Sequence, residues 1–396
     1  MMKYDTITEG NARIAVPKGS GKVSSEMPVF YNPVMMSNRN ITIALMAAAT
    51  KLYEMKKWRI ADPMAATGVR GIRMLLELKN IESVSMNDYS SAAASLIKKN
   101  LLLNSIRGKA SVTANEANKF LLNNRPFNYI DIDPFGYPGM FLDAAVKRVW
   151  HNGILAVTAT DTSALAGTSP AACRRKYLAT PLRNGFMHET GVRILIRLAQ
   201  MIGAMHEKAL TPVFSYYKEH YIRAFLLCRT GAGRADEILR QHAEILYCGN
   251  CSGRRIMKVD DNNKCGVCGN AMARAGPLWA GKLFDAQLAG RIATTAAKNR
   301  NIDEGTRQFL RTIAEEARHE EKCGVGFYSI EDLCEKHRIA QQPATSALVS
   351  RLKKAGYAAA PTHCSTTGVR TNAQVNAVVA AAGGKSLYGR KRQVGE

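Results

Sequence analysis

The sequence predicts an α/β protein, a parallel sheet wound with helices on both faces and followed by a smaller α+β part. Three observations carry this. Between residues 59 and 158, short apolar runs alternate with helix-length segments, and strands separated by helices form a parallel sheet covered on both sides. Two further apolar runs, 212–216 and 221–228, flank Tyr217-Lys218-Glu219-His220 and read as a closing hairpin. From residue 248 the pattern changes to two cysteine pairs, helical segments, and a helix, turn, helix, strand, turn, strand order.

Each element follows from its own residues. Residues 1–40 carry Pro17, Gly19, Gly21, Pro28 and Pro33, an entry segment expected to wrap the surface of the first domain. Residues 41–57 are apolar and alanine-rich, a helix. Strands are expected at 59–62, 84–87, 110–114, 127–132 and 153–158, with helices at 69–79, 90–104, 117–123 and 140–150 between them. A long helix at 189–207 precedes the hairpin. The βα succession with its closing hairpin has the topology of class I, Rossmann-like methyltransferases, an analogy of fold and not of activity. Residues 307–321 read as helix, 329–356 as helix, turn, helix, and 357–369 as strand, turn, strand, together a winged-helix-like module. The expected division is 1–245 for the sheet domain, 246–270 for the cysteine segment, 271–384 for the C-terminal domain, and 385–396 for a basic, disordered tail.

The chain has 396 residues, with 55 Lys and Arg against 32 Asp and Glu, a net charge of +23. That excess attracts polyanions. A membrane surface is the competing partner, but no amphipathic basic helix or lipidation motif supports it. No apolar run is long enough to span a bilayer, and the N-terminus lacks the apolar core of a secretory signal. Nine cysteines, four of them in two close pairs, fit metal-bound thiolates in a reducing, cytoplasmic setting better than disulfides. No obligate protein partner is evident.

Ligands of open α/β sheets bind beyond the carboxyl ends of the strands. The first such turn, Asp62-Pro63-Met64-Ala65-Ala66-Thr67-Gly68, is small-residue-rich but is not a G-x-G-x-x-G. It suits S-adenosylmethionine, which has no pyrophosphate, as well as an ordinary tight turn. Asp88 follows the second strand, where a carboxylate can accept both hydroxyls of a ribose; the alternative is a helix cap. Glu116 and Ala117 follow the third, where adenine lies against backbone; a solvated loop acid is the alternative.

The fourth strand ends in Asp131-Ile132-Asp133-Pro134-Phe135-Gly136. Asp133 to Gly136 has the form of the Asp/Asn-Pro-Pro-aromatic loop of amino-group methyltransferases. An exocyclic base amine delocalises its lone pair into the ring and attacks poorly until acceptors hold its N–H bonds. The Asp133 carboxylate and the Pro134 carbonyl can be those acceptors, and Phe135 offers a stacking face worth about 1–3 kcal/mol. The alternative is a plain strand-to-helix turn.

These residues bring a family into view. The chain resembles the tRNA guanine-26 N2-dimethyltransferases of archaea and eukaryotes. The likeness includes Thr8-Glu9-Gly10, Val29-Phe30-Tyr31-Asn32-Pro33, Asn38-Arg39, Ala66 to Arg73, Asp131 to Gly136, Thr160-Asp161-Thr162, Arg175-Lys176-Tyr177, Gly276-Pro277-Leu278-Trp279 and Gly368 to Asn372. The resemblance implies S-adenosylmethionine contacts from Arg39, Arg70, Asp88, Glu116 and Ala117, Asp133 as catalytic acceptor, and one or two methyl transfers to N2 of guanine 26 in tRNA. The chain departs from the family in Glu116, usually Asp, in Tyr137, usually small, and in Asn40, usually acidic.

Cys248, Cys251, Cys265 and Cys268 form C-x2-C-x13-C-x2-C, the spacing of a closed, structural Zn²⁺ site. In the C-terminal module Arg338, Arg351, Lys353 and Lys354 can contact phosphates or merely complement a helix dipole. The basic run at 385–392 adds nonspecific affinity. Two readings stand beside the leading one: an amino-methyltransferase for another RNA, DNA or a protein amide, and a noncatalytic zinc RNA-binding protein.

Overall fold

In the computed structural model, which describes residues 4–18, 29–258 and 262–385, the alternation of the sequence becomes a seven-stranded sheet. In chain order, β1 (Tyr4–Glu9) and β2 (Ala12–Pro17) precede α1 (Met36–Leu52). The winding follows as β3 (Trp58–Asp62), α2 (Val69–Glu77), β4 (Ile81–Asp88), α3 (Ser91–Leu103), β5 (Ala110–Ala114), α4 (Ala117–Leu122), β6 (Phe127–Ile132), α5 (Gly139–Arg148) and β7 (Val149–Ala159). Then come α6 (Thr162–Leu165), α7 (Pro170–Tyr177), α8 (Met187–Ala204), β8 (Lys208–Lys218), β9 (Tyr221–Thr230) and α9 (Ala232–Leu239). The remainder is β10 (His242–Tyr247), β11 (Arg254–Ile256), β12 (Ala273–Trp279), α10 (Ala286–Lys298), α11 (Glu304–Cys323), β13 (Tyr328–Ser329), α12 (Ile330–His337), α13 (Thr345–Lys354), β14 (Ala359–Thr362), β15 (Ser365–Thr371) and α14 (Val375–Ala381).

The sheet order is β5-β4-β3-β6-β7-β9-β8. β3 to β7 are parallel, and β9 runs antiparallel to both β7 and β8. The winding reverses direction between β3 and β6, which opens a crevice at their carboxyl ends. Residues of β6 are buried at nearly every position, as expected of a strand covered on both faces.

The N-terminal segment holds more regular structure than the sequence specified. Residues 4–17 form an antiparallel hairpin turned at Glu9–Ala12. Two α3 asparagines, one helical turn apart, stand in for a neighbouring strand. Asn100 accepts from Ala15 N at 2.8 Å and donates to its carbonyl at 3.1 Å; Asn104 does the same for Arg13 at 2.8 and 2.6 Å. The edge of β2 is thereby satisfied without a sheet. Gly19, Gly21 and Pro28, and residues 386–392 of the basic run, lie outside the described residues.

Two three-stranded sheets follow, β11-β10-β12 and β13-β15-β14. Ile292 of α10 and Leu310 and Ile313 of α11 share one hydrophobic core with the large sheet, while α12, α13 and α14 enclose a second, with Leu333, Leu348, Leu352 and Val378. Asp303 caps α11 by accepting from Thr306 N at 2.8 Å, satisfying one of the orphan amides of the first turn.

Where α8 and α11 meet β15, a cluster of charges is sealed from water. Arg370 donates to Glu189 at 2.7 Å and to Glu316 at 2.9 Å, and all three side chains are fully buried. Glu189 also receives Arg193 at 2.8 Å and the Gly326 amide at 2.8 Å. Glu316 receives Thr362 at 2.8 Å, the His363 amide at 2.9 Å and its imidazole at 2.6 Å. Glu320 takes the amides of Leu283 and Phe284 at 2.8 and 3.2 Å. Burial alone would raise the Glu189 pKa, yet Arg370 and Arg193 hold it down to about 2. Burial works to lower that of His363, but Cys364 and Glu316 outweigh it and push it up to about 10. Among the described residues, no helix is long and apolar enough to cross a membrane.

Candidate active site

The carboxyl ends of β3, β4, β5 and β6 bring the expected residues to one edge. The turn after β3 depends on Gly68, which sits at φ 75° and whose Cβ, if present, would lie 3.0 Å from Ile97. Asn87 stitches the neighbouring strand ends, donating to Pro63 O at 3.0 Å and Asn115 O at 2.9 Å. Asp88 accepts from Ala66 N at 2.9 Å and Ser90 N at 3.0 Å, so it braces the cofactor turn. The helix cap itself is Ser90, which leaves each Asp88 oxygen with capacity for a ribose hydroxyl.

Glu116 caps α4, taking Asn118 N at 2.9 Å and Lys119 N at 2.8 Å. Both oxygens are used, so contact with an adenine amine has to share them. Ala117 is buried just behind it. Arg39 is buried and forks onto Glu9 at 2.6 and 2.5 Å. Glu9 also takes Arg73 at 3.0 Å and Tyr31 at 3.0 Å. The first hairpin therefore fixes the direction of Arg39.

At the end of β6, Asp133 pairs through Oδ2 with Nη2 of Arg70, and its side chain is 19% exposed. Arg70 is oriented by Asn38 at 3.0 Å and Thr42 at 3.2 Å, both on α1. Beneath it, fully buried Asp131 takes Arg223 at 2.6 and 3.1 Å and Tyr129 at 2.7 Å. Asp62 is buried beside them and accepts no hydrogen bond among the described residues. Burial pushes its pKa up; Arg70 opposes, but Asp131, Asp133 and Asp88 reinforce the rise to about 7. A buried carboxylate of this kind, at the mouth of the crevice, fits a cationic ligand such as S-adenosylmethionine, whose ammonium and sulfonium are both positive.

Pro134 is buried and Phe135 is 60% exposed. Phe30 packs edge-on against Phe135, with ring centroids 4.6 Å apart. Gly136, at φ 78°, turns the loop and is joined to Thr160 by two hydrogen bonds, of 2.6 and 3.1 Å. The Tyr137 hydroxyl donates to Lys176 O at 2.7 Å, and its ring meets Tyr177 edge-on at 5.1 Å. Lys176 in turn holds Asp161 at 2.8 Å. The 160–162 and 175–177 motifs thus wrap the loop at 133–137.

Sequence reasoning assigned no role to Phe30, Asp62, Asp131, Arg223, Asn38 or Thr42. Arg223 carried no local signal and Phe30 appeared only within a motif of the resemblance: their partners are far away in the chain and only folding brings them together. Asp131 was visible as the residue two before Asp133, which puts both on one face of the chain, and both reach Arg70.

The four cysteines converge between β10 and β12. Their sulfurs all lie within 4.8 Å of one another, with Cys248 and Cys268 at 3.3 Å and Cys251 and Cys265 at 3.5 Å. Tetrahedral zinc thiolates at about 2.3 Å need sulfurs ~3.8 Å apart, so the donor set fits Zn²⁺. The knuckle is anchored to α12 by His337, which meets Cys251 O at 3.1 Å. A groove of about 1230 Å³ runs between α11 and α13, lined by Arg311, Lys353, Lys354 and several hydroxyl residues.

The model of the N2,N2-dimethylguanosine tRNA methyltransferase family matches residues 10–382. The chain is 37% identical over 373 residues to a tRNA (guanine(26)-N(2)/guanine(27)-N(2))-dimethyltransferase of Aquifex aeolicus, covering 93% of each. It is 35% identical over 377 residues to a tRNA (guanine(26)-N(2))-dimethyltransferase of Methanothermobacter thermautotrophicus, covering 94% of this chain and 97% of that one. Among solved structures it is similar to Trm1 from Pyrococcus horikoshii in complex with S-adenosyl-L-methionine. The TM-score is 0.82 and the identity 30%, over 95% of this chain and 99% of that one.

Proposed function

The chain belongs to the N2,N2-dimethylguanosine tRNA methyltransferase family, and from that premise we propose that it methylates the exocyclic N2 of guanine 26 in tRNA once or twice, with Asp133 as the acceptor. S-adenosylmethionine, the methyl donor of this family, supplies an electrophilic methyl on sulfur. Arg39, Arg70, Asp88, Glu116 and Ala117 are the residues that would hold it, with Asp62 facing its positive charge.

The observation that carries the reading is the state of Asp133. One oxygen is pinned by Arg70 and the side chain is partly open to solvent beside exposed Phe135. A carboxylate held on one side presents its other oxygen in a fixed direction. That oxygen accepts one N–H of the guanine amine, and the Pro134 carbonyl accepts the other. The nitrogen moves toward tetrahedral geometry and regains its lone pair. Once the N–C bond has formed, the nitrogen is acidic, and its proton passes to Asp133 or to water. Phe135 stacks the base, and the Phe30 ring, now edge-on to it, turns aside to admit it.

The 1–245 part then performs catalysis, 246–270 holds Zn²⁺, and 271–384 grips tRNA, although α10 and α11 share the core of the sheet. The order β13, α12, α13, β14, β15 is read as a winged-helix-like module. Exposed Arg338, Arg351, Lys353 and Lys354 give it phosphate contacts, with Lys353 shared with Glu315 at 3.5 Å. The setting is the cytoplasm. A second reading has one specific support: the Aquifex relative modifies guanines 26 and 27, so the neighbouring position is a candidate substrate.

The test is transfer of a labelled methyl group to tRNA transcripts bearing guanine or adenine at position 26, with the product nucleosides mapped by mass spectrometry. Label confined to guanine 26 supports the reading; label that survives the change to adenine without moving to position 27 sinks it.

A further inference from the structure

Methylating a base amine inside a folded RNA requires the base to leave its stack, and the gap it leaves costs stacking energy unless something fills it. Beside the loop at 133–137, one side chain is placed to do so. Leu178 follows α7 at φ 52° and ψ 40°, the left-handed region that side chains with a Cβ enter at a cost. Among the described non-glycine residues with positive φ, Leu178 is the one with a large apolar side chain. The side chain gains little burial in return, since 56% of the residue is exposed.

The backbone on both sides is held. Leu178 N donates to Arg174 O at 3.2 Å, and Arg197 donates to Leu178 O at 3.3 Å. Two residues on, Thr180 exchanges both backbone hydrogen bonds with Gly276, each at 2.8 Å. Two residues before, Lys176 O receives the Tyr137 hydroxyl, so the catalytic loop is the immediate neighbour. Backbone strain that persists on a fixed frame near a reaction centre points to use. The surroundings name the partner. Arg174, Arg175 and Lys176 are exposed on the same turn, and the neighbouring loop, tied to it through Tyr137, is flanked by exposed Phe135 and Met140. An apolar tip rimmed by cations fits a nucleic acid, in which phosphates flank a stack of apolar faces.

We infer that Leu178 is a wedge that enters the RNA stack vacated by the target guanine while Arg174 and Arg175 hold the flanking phosphates. The inference rests on the tRNA guanine reading above and adds how the base is extracted. It makes Leu178 a positioning residue, since it touches the stack and not the reacting nitrogen.

The experiment compares Leu178→Ala and Leu178→Met with the unaltered full-length protein in single-turnover methylation. Two tRNA transcripts are used, one with the guanine in its normal junction and one with an abasic site opposite it, which frees the guanine beforehand. Leu178→Ala should slow methylation of the normal transcript by about tenfold or more, with tRNA affinity within about threefold. On the abasic-partner transcript its rate should return to within about threefold of the unaltered protein. Leu178→Met, still apolar and long, should keep the rate on both. No loss on the normal transcript, or an equal loss on both, overturns the wedge. S-adenosylmethionine affinity, measured by calorimetry, should not change; a fall that parallels the rate would mark damage to the fold and also overturn it. If the unaltered protein methylates neither transcript, the tRNA guanine reading fails and the inference falls with it.

Discussion

At the carboxyl edge of the sheet, Asp62, Asp131 and Asp133 surround Arg70 and Arg223; at the junction of α8, α11 and β15, Glu189, Glu316 and Glu320 surround Arg193, Arg370 and His363. The junction cluster is fully buried and the edge cluster is buried except at Asp133, and both are bound by forked guanidinium contacts. The junction cluster has three acids against three bases once His363 carries its proton, although burial still raises the Glu320 pKa to about 7 against Arg370 and Arg193. The edge cluster has three acids against two guanidiniums and is short of one positive charge. The difference separates structure from chemistry. A sealed cluster must satisfy itself, because each uncompensated buried charge costs several kcal/mol. A cluster with an opening can leave a carboxylate waiting for a cation that a ligand brings.

Breaking each cluster should therefore damage a different property. The largest effect is expected at the edge. Asp133→Ala should lower single-turnover methylation at least about 100-fold, while S-adenosylmethionine affinity and the urea unfolding midpoint stay near those of the unaltered protein. Unchanged turnover would remove Asp133 from its assigned role. At the junction, Arg370→Met strands Glu189 and Glu316 and should cost about 3–5 kcal/mol of unfolding free energy, read from urea denaturation. The fraction that folds should turn over normally. A large loss of turnover per folded molecule would mean that the two clusters are not separable.

pH sharpens the contrast because the two clusters respond with opposite sign. His363 has a folded pKa raised to about 10 from 6.5. Its contribution to stability is complete below about pH 6.5 and is lost as pH rises toward 10. Unfolding free energy should fall across that window, and His363→Gln should flatten the fall. Asp62, raised to about 7 from 3.8, must ionise to meet a cationic ligand. S-adenosylmethionine affinity should rise as pH passes through about 7 and level off above it, and Asp62→Asn should remove the rise. The smallest effect calibrates the rest. Asp303→Ala removes a helix cap outside both clusters and should cost about 1 kcal/mol, with no change in turnover or in either pH profile.

Much of this was legible in the sequence, and what was not has a physical reason. The βα alternation was readable because burial on a strand or a helix is periodic in the chain. The places of Asp88 and Asp133 at their strand ends and the convergence of the four cysteines were readable because each shows in fixed local spacing. Arg70 was named, but as a cofactor contact; its pairing with Asp133, 63 residues away, was not. Arg39 was named without Glu9, and Arg370 appeared only as part of a resemblance, although it holds the junction. Charge pairing across the fold leaves no periodic trace. The first hairpin was missed because the prolines and glycines from Pro17 to Pro33 coloured the reading of the whole entry segment, whereas Asn100 and Asn104 of a later helix supply the partners its edge needs.

Arg370 also bears on how the protein is made. It lies 181 residues after Glu189, the carboxylate it neutralises. A ribosome therefore delivers α8 long before the cation that lets it close into the core. Until then Glu189 has Arg193 from its own helix but not its second guanidinium, and Glu316 lacks Thr362, His363 and Arg370 altogether. The catalytic sheet can collect its strands during synthesis, but the helices that cover it cannot lock until β15 has emerged. Folding is tied in this way to synthesis as far as Arg370, and a chain cut short before it would present chaperones and proteases with a loosely closed enzyme rather than a smaller working one.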